Sequence, residues 1–174
     1  MNKIIFLFVT LFGIGKLKKI PGSYASLVTT IFLFFLFHIL NFSPNIILIV
    51  VIIVFFISLF AVNIFIKDLD NKDPKEVVID EFIGQSIPIC LYEIAHEGSK
   101  ETGQVLTFYF IMFILFRIFD IVKPYPVSYY DKNFKNSFGV IMDDVCAGLY
   151  VVAVLVLYMV INSWKNFLKE LLNY

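Results

Sequence analysis

Asn45-Ile46-Ile47-Leu48-Ile49-Val50-Val51-Ile52-Ile53-Val54-Phe55-Phe56-Ile57-Ser58-Leu59-Phe60-Ala61-Val62-Asn63-Ile64-Phe65-Ile66 runs for 22 residues without a charged side chain. A helix needs about 20 apolar residues to cross a hydrocarbon core of ~30 Å. This stretch therefore decides the class: an all-α, polytopic membrane bundle. The rest of the chain agrees. Of its 174 residues, 60% are hydrophobic and 18% aromatic, and only 16% are charged, where a soluble domain carries about a quarter. A soluble core of this size could not hide runs such as Ile31-Phe32-Leu33-Phe34-Phe35-Leu36-Phe37.

Working outward, further spans are expected at Tyr24 to Leu40, Val105 to Val122 and Val140 to Ile161. A fifth, polar-interrupted helix is expected at Val77 to Ala95, buried among its neighbours because it carries Asp80, Glu81, Gln85 and Pro88. Residues 1–22 read as an N-terminal interfacial or re-entrant segment plus a Gly/Lys-rich loop, since Met1 to Phe12 is too short to span. Residues 23–162 read as the bundle and 163–174 as a tail, all in one domain. Residues 123–139 read as a loop with Pro124, Pro126 and three lysines.

Lysines mark the cytoplasmic ends of spans. Lys16, Lys18 and Lys19 precede the first span. Three more lie in the charged stretch Lys67 to Glu76, and Lys123, Lys132 and Lys135 follow the fourth span. These segments alternate correctly for five spans and are expected in the cytoplasm. The C-terminal tail, with Lys165 and Lys169, then falls outside, mildly against the rule. Net charge is zero, with 14 basic and 14 acidic side chains, so nucleic acid is not an expected partner. Cys90 and Cys146 sit in apolar stretches and read as buried hydrophobes. Nothing in the sequence specifies an oligomeric state.

The informative residues are those a bilayer should exclude. Asp80 and Glu81 lie near the start of the third helix, Arg117 and Asp120 near the end of the fourth, and Asp143 and Asp144 at the start of the fifth. The topology brings all six to one depth on the cytoplasmic side. An acidic residue at a span centre costs ~2.5–3.5 kcal/mol, and five carboxylates repel one another. A lone Arg–Asp pair often does no more than lock helices together, but one arginine and one or two lysines cannot neutralise five acids. A divalent cation can. Mg²⁺ suits carboxylate oxygens, retains water and completes its shell with phosphate. Arg117 and Asp120 share a helix face at i,i+3. Gly84 and Gly148 stand four residues after Asp80 and Asp144, where glycine permits close helix approach. The stretch Gly13 to Ser23, with Lys16 and Ser23, suits a phosphate cradle ahead of a helix N-terminus, or a basic anchor to anionic lipid.

Asp80-Glu81-Phe82-Ile83-Gly84, Phe116-Arg117-Ile118-Phe119-Asp120-Ile121-Val122-Lys123-Pro124-Tyr125-Pro126, Asp131-Lys132 and Gly139-Val140-Ile141-Met142-Asp143-Asp144-Val145-Cys146-Ala147-Gly148 resemble the phosphatidylglycerophosphatase A family. Ile20-Pro21-Gly22-Ser23-Tyr24-Ala25-Ser26-Leu27 resembles that family's Pro-Gly-Thr-x-Gly-Ser-Leu element. The chain departs from the family pattern at Ser23, at Ala25 and at Asn136-Ser137, where a Gly-Gly pair is usual. The resemblance implies a bacterial inner-membrane enzyme that uses Mg²⁺ to hydrolyse the terminal phosphomonoester of phosphatidylglycerophosphate at the cytoplasmic leaflet. On that reading Asp80, Glu81, Asp120, Asp143 and Asp144 supply metal ligands and the catalytic base, while Arg117, Lys123, Ser23 and Lys16 bind substrate phosphate. The partner is a phospholipid in the membrane.

Other phosphatase chemistries lack their parts. His38, expected mid-span, has no nearby Ser-Gly-His for a phosphohistidine mechanism. Asp68-Leu69-Asp70-Asn71-Lys72 reads as a solvated loop, and neither cysteine has an arginine six residues on. The competing class is a small transporter or channel component with an intramembrane acidic ion site. A transporter would carry polar residues through the full depth, whereas the outer halves of these spans read as almost purely apolar.

Overall fold

The computed structural model describes residues 3–67, 69, 74–96 and 102–172. These form seven α-helices: α1 (Lys3–Val9), α2 (Pro21–His38), α3 (Pro44–Ile66), α4 (Ile79–Ala95), α5 (Thr102–Val122), α6 (Val127–Asn133) and α7 (Ser137–Leu172). A 3₁₀ turn at Ile14–Lys16 lies between α1 and α2. No strand occurs among the described residues. Asp68, Asp70, Asn71, Lys72 and Asp73 of the charged loop, and 97–101 of the Gly-containing loop, lie outside the described residues.

Four helices are long and apolar enough to cross a membrane: α2, α3, α5, and α7 from Ser137 to Lys165. Pro21 and Pro44 stand in the first turns of α2 and α3, where proline's missing N–H costs nothing and its φ is already helical. Apolar side chains such as Ile46, Ile49, Ile53 and Phe60 point outward from α3, as a lipid-facing helix requires. The fifth expected helix, α4, does not meet the length and hydropathy of a span; it is the hub of the bundle and packs against α7, α3, α2 and α5. Its buried residues include Asp80, Gln85 and Glu93 beside Ile83 and Ile89. A polar helix survives here because its neighbours cover it.

Glycine sets how closely the two central helices approach. A Cβ on Gly84 would lie 2.6 Å from the Asp144 carbonyl oxygen, and one on Gly148 would overlap the Gly84 carbonyl. Pro88, four residues after Gly84, has no N–H to return to that carbonyl. Backbone therefore meets backbone where α4 crosses α7.

The N-terminal segment is part of the packed structure. The seven-residue α1 rests on α3, and Val9 is fully buried. The chain then reverses through Leu11, Phe12 and Gly13, all with positive φ. The Gly13 amide donates to Thr10 Oγ1 at 3.1 Å, which holds the turn. The Val78 amide at the start of α4 donates to the Val9 carbonyl at 2.9 Å.

Three expectations need correction. The 123–139 connection contains α6, a helix too short to register in hydropathy. The tail is not a separate segment, because α7 continues to Leu172. At 1.5 Å per residue its 36 residues make a rod of about 54 Å, longer than a bilayer core. The end of the bundle away from the acids, expected to be almost purely apolar, carries a buried polar group. His38 is the last residue of α2 rather than mid-span. Its Nε2 lies 3.3 Å from Glu93 Oε1, which also accepts from the Tyr109 hydroxyl at 3.2 Å. Buried Ile89 and Cys90 separate this group from the acids at the other end of α4.

Candidate active site

The acidic residues converge, but not all on one point. Asp80, Glu81 and Asp144 each offer a carboxylate oxygen, and the three lie within 4.8 Å of one another. The Gly84–Gly148 crossing is what makes this possible. Asp80 is one turn before Gly84 and Asp144 one turn before Gly148, so the crossing carries both carboxylates to the same place. Asp80 and Asp144 are 8% and 3% exposed. At 4.8 Å and an effective dielectric of ~20, each pair of charges repels by about 3.5 kcal/mol. Glu81 Oε2 is buried without a hydrogen-bond partner among the described residues. Three hard oxygen donors, mutually repelling and one of them orphaned, fit a divalent cation. Opposite oxygens of an octahedral Mg²⁺ shell lie about 4 Å apart.

Arg117 forms the next layer. Its Nη1 lies 2.9 Å from Asp120 Oδ2, one turn along α5, and 3.9 Å from Glu81 Oε1. It also donates to Ser26 Oγ at 3.3 Å. Ser26 gives its own proton to the Gly22 carbonyl at 2.9 Å, which leaves its lone pairs for the guanidinium. A Cβ on Gly22 would overlap Glu81 Oε1, so the first turn of α2 presses directly against α4 and Arg117. Arg117 Nε is buried and has no partner among the described residues.

Lys123 forms a separate group. Just past α5, its Nζ lies 2.6 Å from Asp131 Oδ1 on α6 and 2.8 Å from Asp143 Oδ2 on α7. Burial works against the ammonium, but the hydrogen bonds and charges of the two aspartates outweigh it and hold the lysine above its usual range.

The structure thus divides the expected ligand set. Asp80, Glu81 and Asp144 meet, Asp120 holds Arg117, and Asp143 holds Lys123. Ser23 is part-exposed in the first turn of α2, and the Lys16 ammonium lies 4.5 Å over the Phe6 ring. Three residues escaped the sequence reading. Ser26 is one turn from Gly22 on the same face, a spacing that could have flagged it. Asp131 carried only a motif resemblance. Gln85 is fully buried with neither amide atom partnered among the described residues, and it stands four residues after Glu81 on the same stripe of α4.

The family model for phosphatidylglycerophosphatase A matches residues 7–159, which include every residue of these groups. The chain belongs to the phosphatidylglycerophosphatase A family. It is 33% identical to a Haemophilus influenzae protein named phosphatidylglycerophosphatase A, over 82% of this chain and 81% of that one. An Escherichia coli protein of the same name is 28% identical over 88% of this chain and 81% of its own. A Bacteroides thetaiotaomicron protein provisionally named a phosphatidylinositol-3-phosphatase is 34% identical, over 80% of this chain and 83% of its own. No solved structure matches. The departure from the family's Gly-Gly pair has a local function here. Asn136 Oδ1 accepts from the Gly139 amide at 3.0 Å and caps the N-terminus of α7.

Proposed function

We propose that this protein is a Mg²⁺-dependent phosphatidylglycerophosphatase of the bacterial inner membrane, acting at the cytoplasmic leaflet. The observation that carries this reading is the meeting of Asp80, Glu81 and Asp144 beside Arg117, within a chain matched to the family across residues 7–159. The three carboxylates would hold the cation, which when bound neutralises phosphate oxygens and lowers the pKa of water.

The chain's own groups then have distinct tasks. Arg117 and the first turn of α2 receive the phosphate, where Gly22 and Ser26 border Glu81 and Arg117, with Ser23 in the same turn as the candidate hydroxyl. Asp120 and Ser26 orient the guanidinium for bidentate contact. A carboxylate of the cluster takes a proton from the attacking water, a P–O bond forms, and the bond to the glycerol oxygen breaks. The leaving alkoxide takes up a proton as phosphate departs. Lys123, held by Asp131 and Asp143, ties α6 to α7 and has its charge already matched there. Its expected hold on the phosphate gives way to a positioning role, and Lys16 stays a candidate contact to the anionic headgroup. The lysine-rich connections support a cytoplasmic site.

Purified protein should release phosphate from phosphatidylglycerophosphate, lose this activity in EDTA and regain it with Mg²⁺. Phosphatidylinositol 3-phosphate is the necessary comparison, given the name of one relative. Faster hydrolysis of that lipid would replace the headgroup assignment, and release unaffected by EDTA would end the metal reading. An ion pathway is less well supported, because apolar layers separate the acid cluster from the Glu93 group.

A further inference from the structure

An apolar groove of about 290 Å³ lies between α3, α4 and α7. Its α4 wall is Ile83 and Ile87. With Asp80 these stand at i, i+3 and i+7, one stripe of the helix. At 1.5 Å per residue the groove begins about 4–5 Å along α4 from the Asp80 level and continues past about 10 Å. Its α7 wall is Met142 and Val145, which share a face at i,i+3 turned about 130° around the helix from Asp144. On α3, Ile52 and Phe56 line it while remaining about half exposed, at 48% and 57%, so it opens sideways to the hydrocarbon. A second apolar groove, lined by Pro88, Tyr92, His96, Val156 and Met159, lies toward the other end of α4, out of reach of a phosphate bound at the acids.

We infer that the groove between α3, α4 and α7 holds one acyl chain of the phospholipid whose phosphate occupies the acid cluster. This rests on the lipid phosphatase reading above. The groove runs along the Asp80 stripe of α4, and its volume suits a segment of chain rather than a whole lipid. The gain is not hydrophobic transfer, because a lipid tail is already out of water. Holding the chain instead limits how the headgroup lies and presents its terminal phosphate to the carboxylates.

Leu48→Trp and Ile52→Trp fill the groove from its α3 side, away from the carboxylates. Each should lower kcat/KM on dioleoyl phosphatidylglycerophosphate about tenfold while changing it less than twofold on the dibutanoyl analogue. Val156→Trp, in the second groove, should change neither. Unaltered hydrolysis of the long-chain lipid by both groove variants overturns the assignment, as does an equal loss on the two substrates. A wild-type protein inactive on both lipids would bring down the phosphatase reading itself, and the groove assignment with it.

Discussion

Asp143 and Asp144 are neighbours in the chain, yet they serve different walls of the site. Successive helical residues point about 100° apart, so one faces Lys123 and the other Asp80 and Glu81. The two should therefore fail differently. Asp144→Asn and Asp80→Asn are expected to lower kcat at least about 100-fold while the protein still inserts and keeps its melting temperature, because each removes repulsion as well as a ligand. Asp143→Asn should instead lower the melting temperature, by leaving part of the Lys123 charge uncompensated, and should leave the half-saturating Mg²⁺ concentration within about threefold of wild type. Equal Mg²⁺ dependence in all three variants would contradict this division. Gln85 offers an opposite sign. Its buried amide, with no partner among the described residues, costs about 1–3 kcal/mol, so Gln85→Met should raise the melting temperature. A fall would mean that the amide has partners.

Among the elements, the crossing of α4 and α7 controls the site, and two glycines control the crossing. Gly148→Ala forces a methyl group onto the Gly84 carbonyl and should cost at least about tenfold in kcat by separating Asp144 from Asp80. Wild-type activity in that variant would show that the helices part without consequence. Much of this level was legible in the sequence. Long charge-free runs marked the long apolar helices, and the positions of the acids near helix ends foretold a meeting of acids, which Asp80, Glu81 and Asp144 make. Glycines one turn after Asp80 and Asp144 announced a close approach. Which carboxylates would meet was not legible, because a one-residue step changes the face and the rotation of α4 is set by contacts with four other helices. The seven-residue α6 is too short for a periodic signal. The end of α7 was misread because Lys165, Lys169 and Glu170 end the apolar run without ending the helix, all three being good helix formers.

At the scale of the whole molecule, charge and cation should be coupled. If Asp80, Glu81 and Asp144 bind Mg²⁺, saturating Mg²⁺ must stabilise the fold by mass action, by about 2.7 kcal/mol at 100 times Kd. The melting temperature should then rise with Mg²⁺, and Asp80→Asn should abolish the rise. Persistence of the rise in that variant would relocate the ion. Topology has its own test. Both native cysteines are buried, so Lys132→Cys on α6 supplies an accessible thiol. A membrane-impermeant maleimide should label it in inverted vesicles and not in intact spheroplasts.

The hydrogen bond from Val78 to Val9 has a consequence for biosynthesis. Synthesis reaches Val9 before α2 and α3, and Val78 only after both. The α1 segment therefore waits, without its α4 partner, until the two intervening helices have been made. The acid-bearing helix is thus seated by a segment synthesised two long helices earlier. A fusion partner joined directly ahead of α1 would burden that late docking step, whereas one placed after α7 would leave it free.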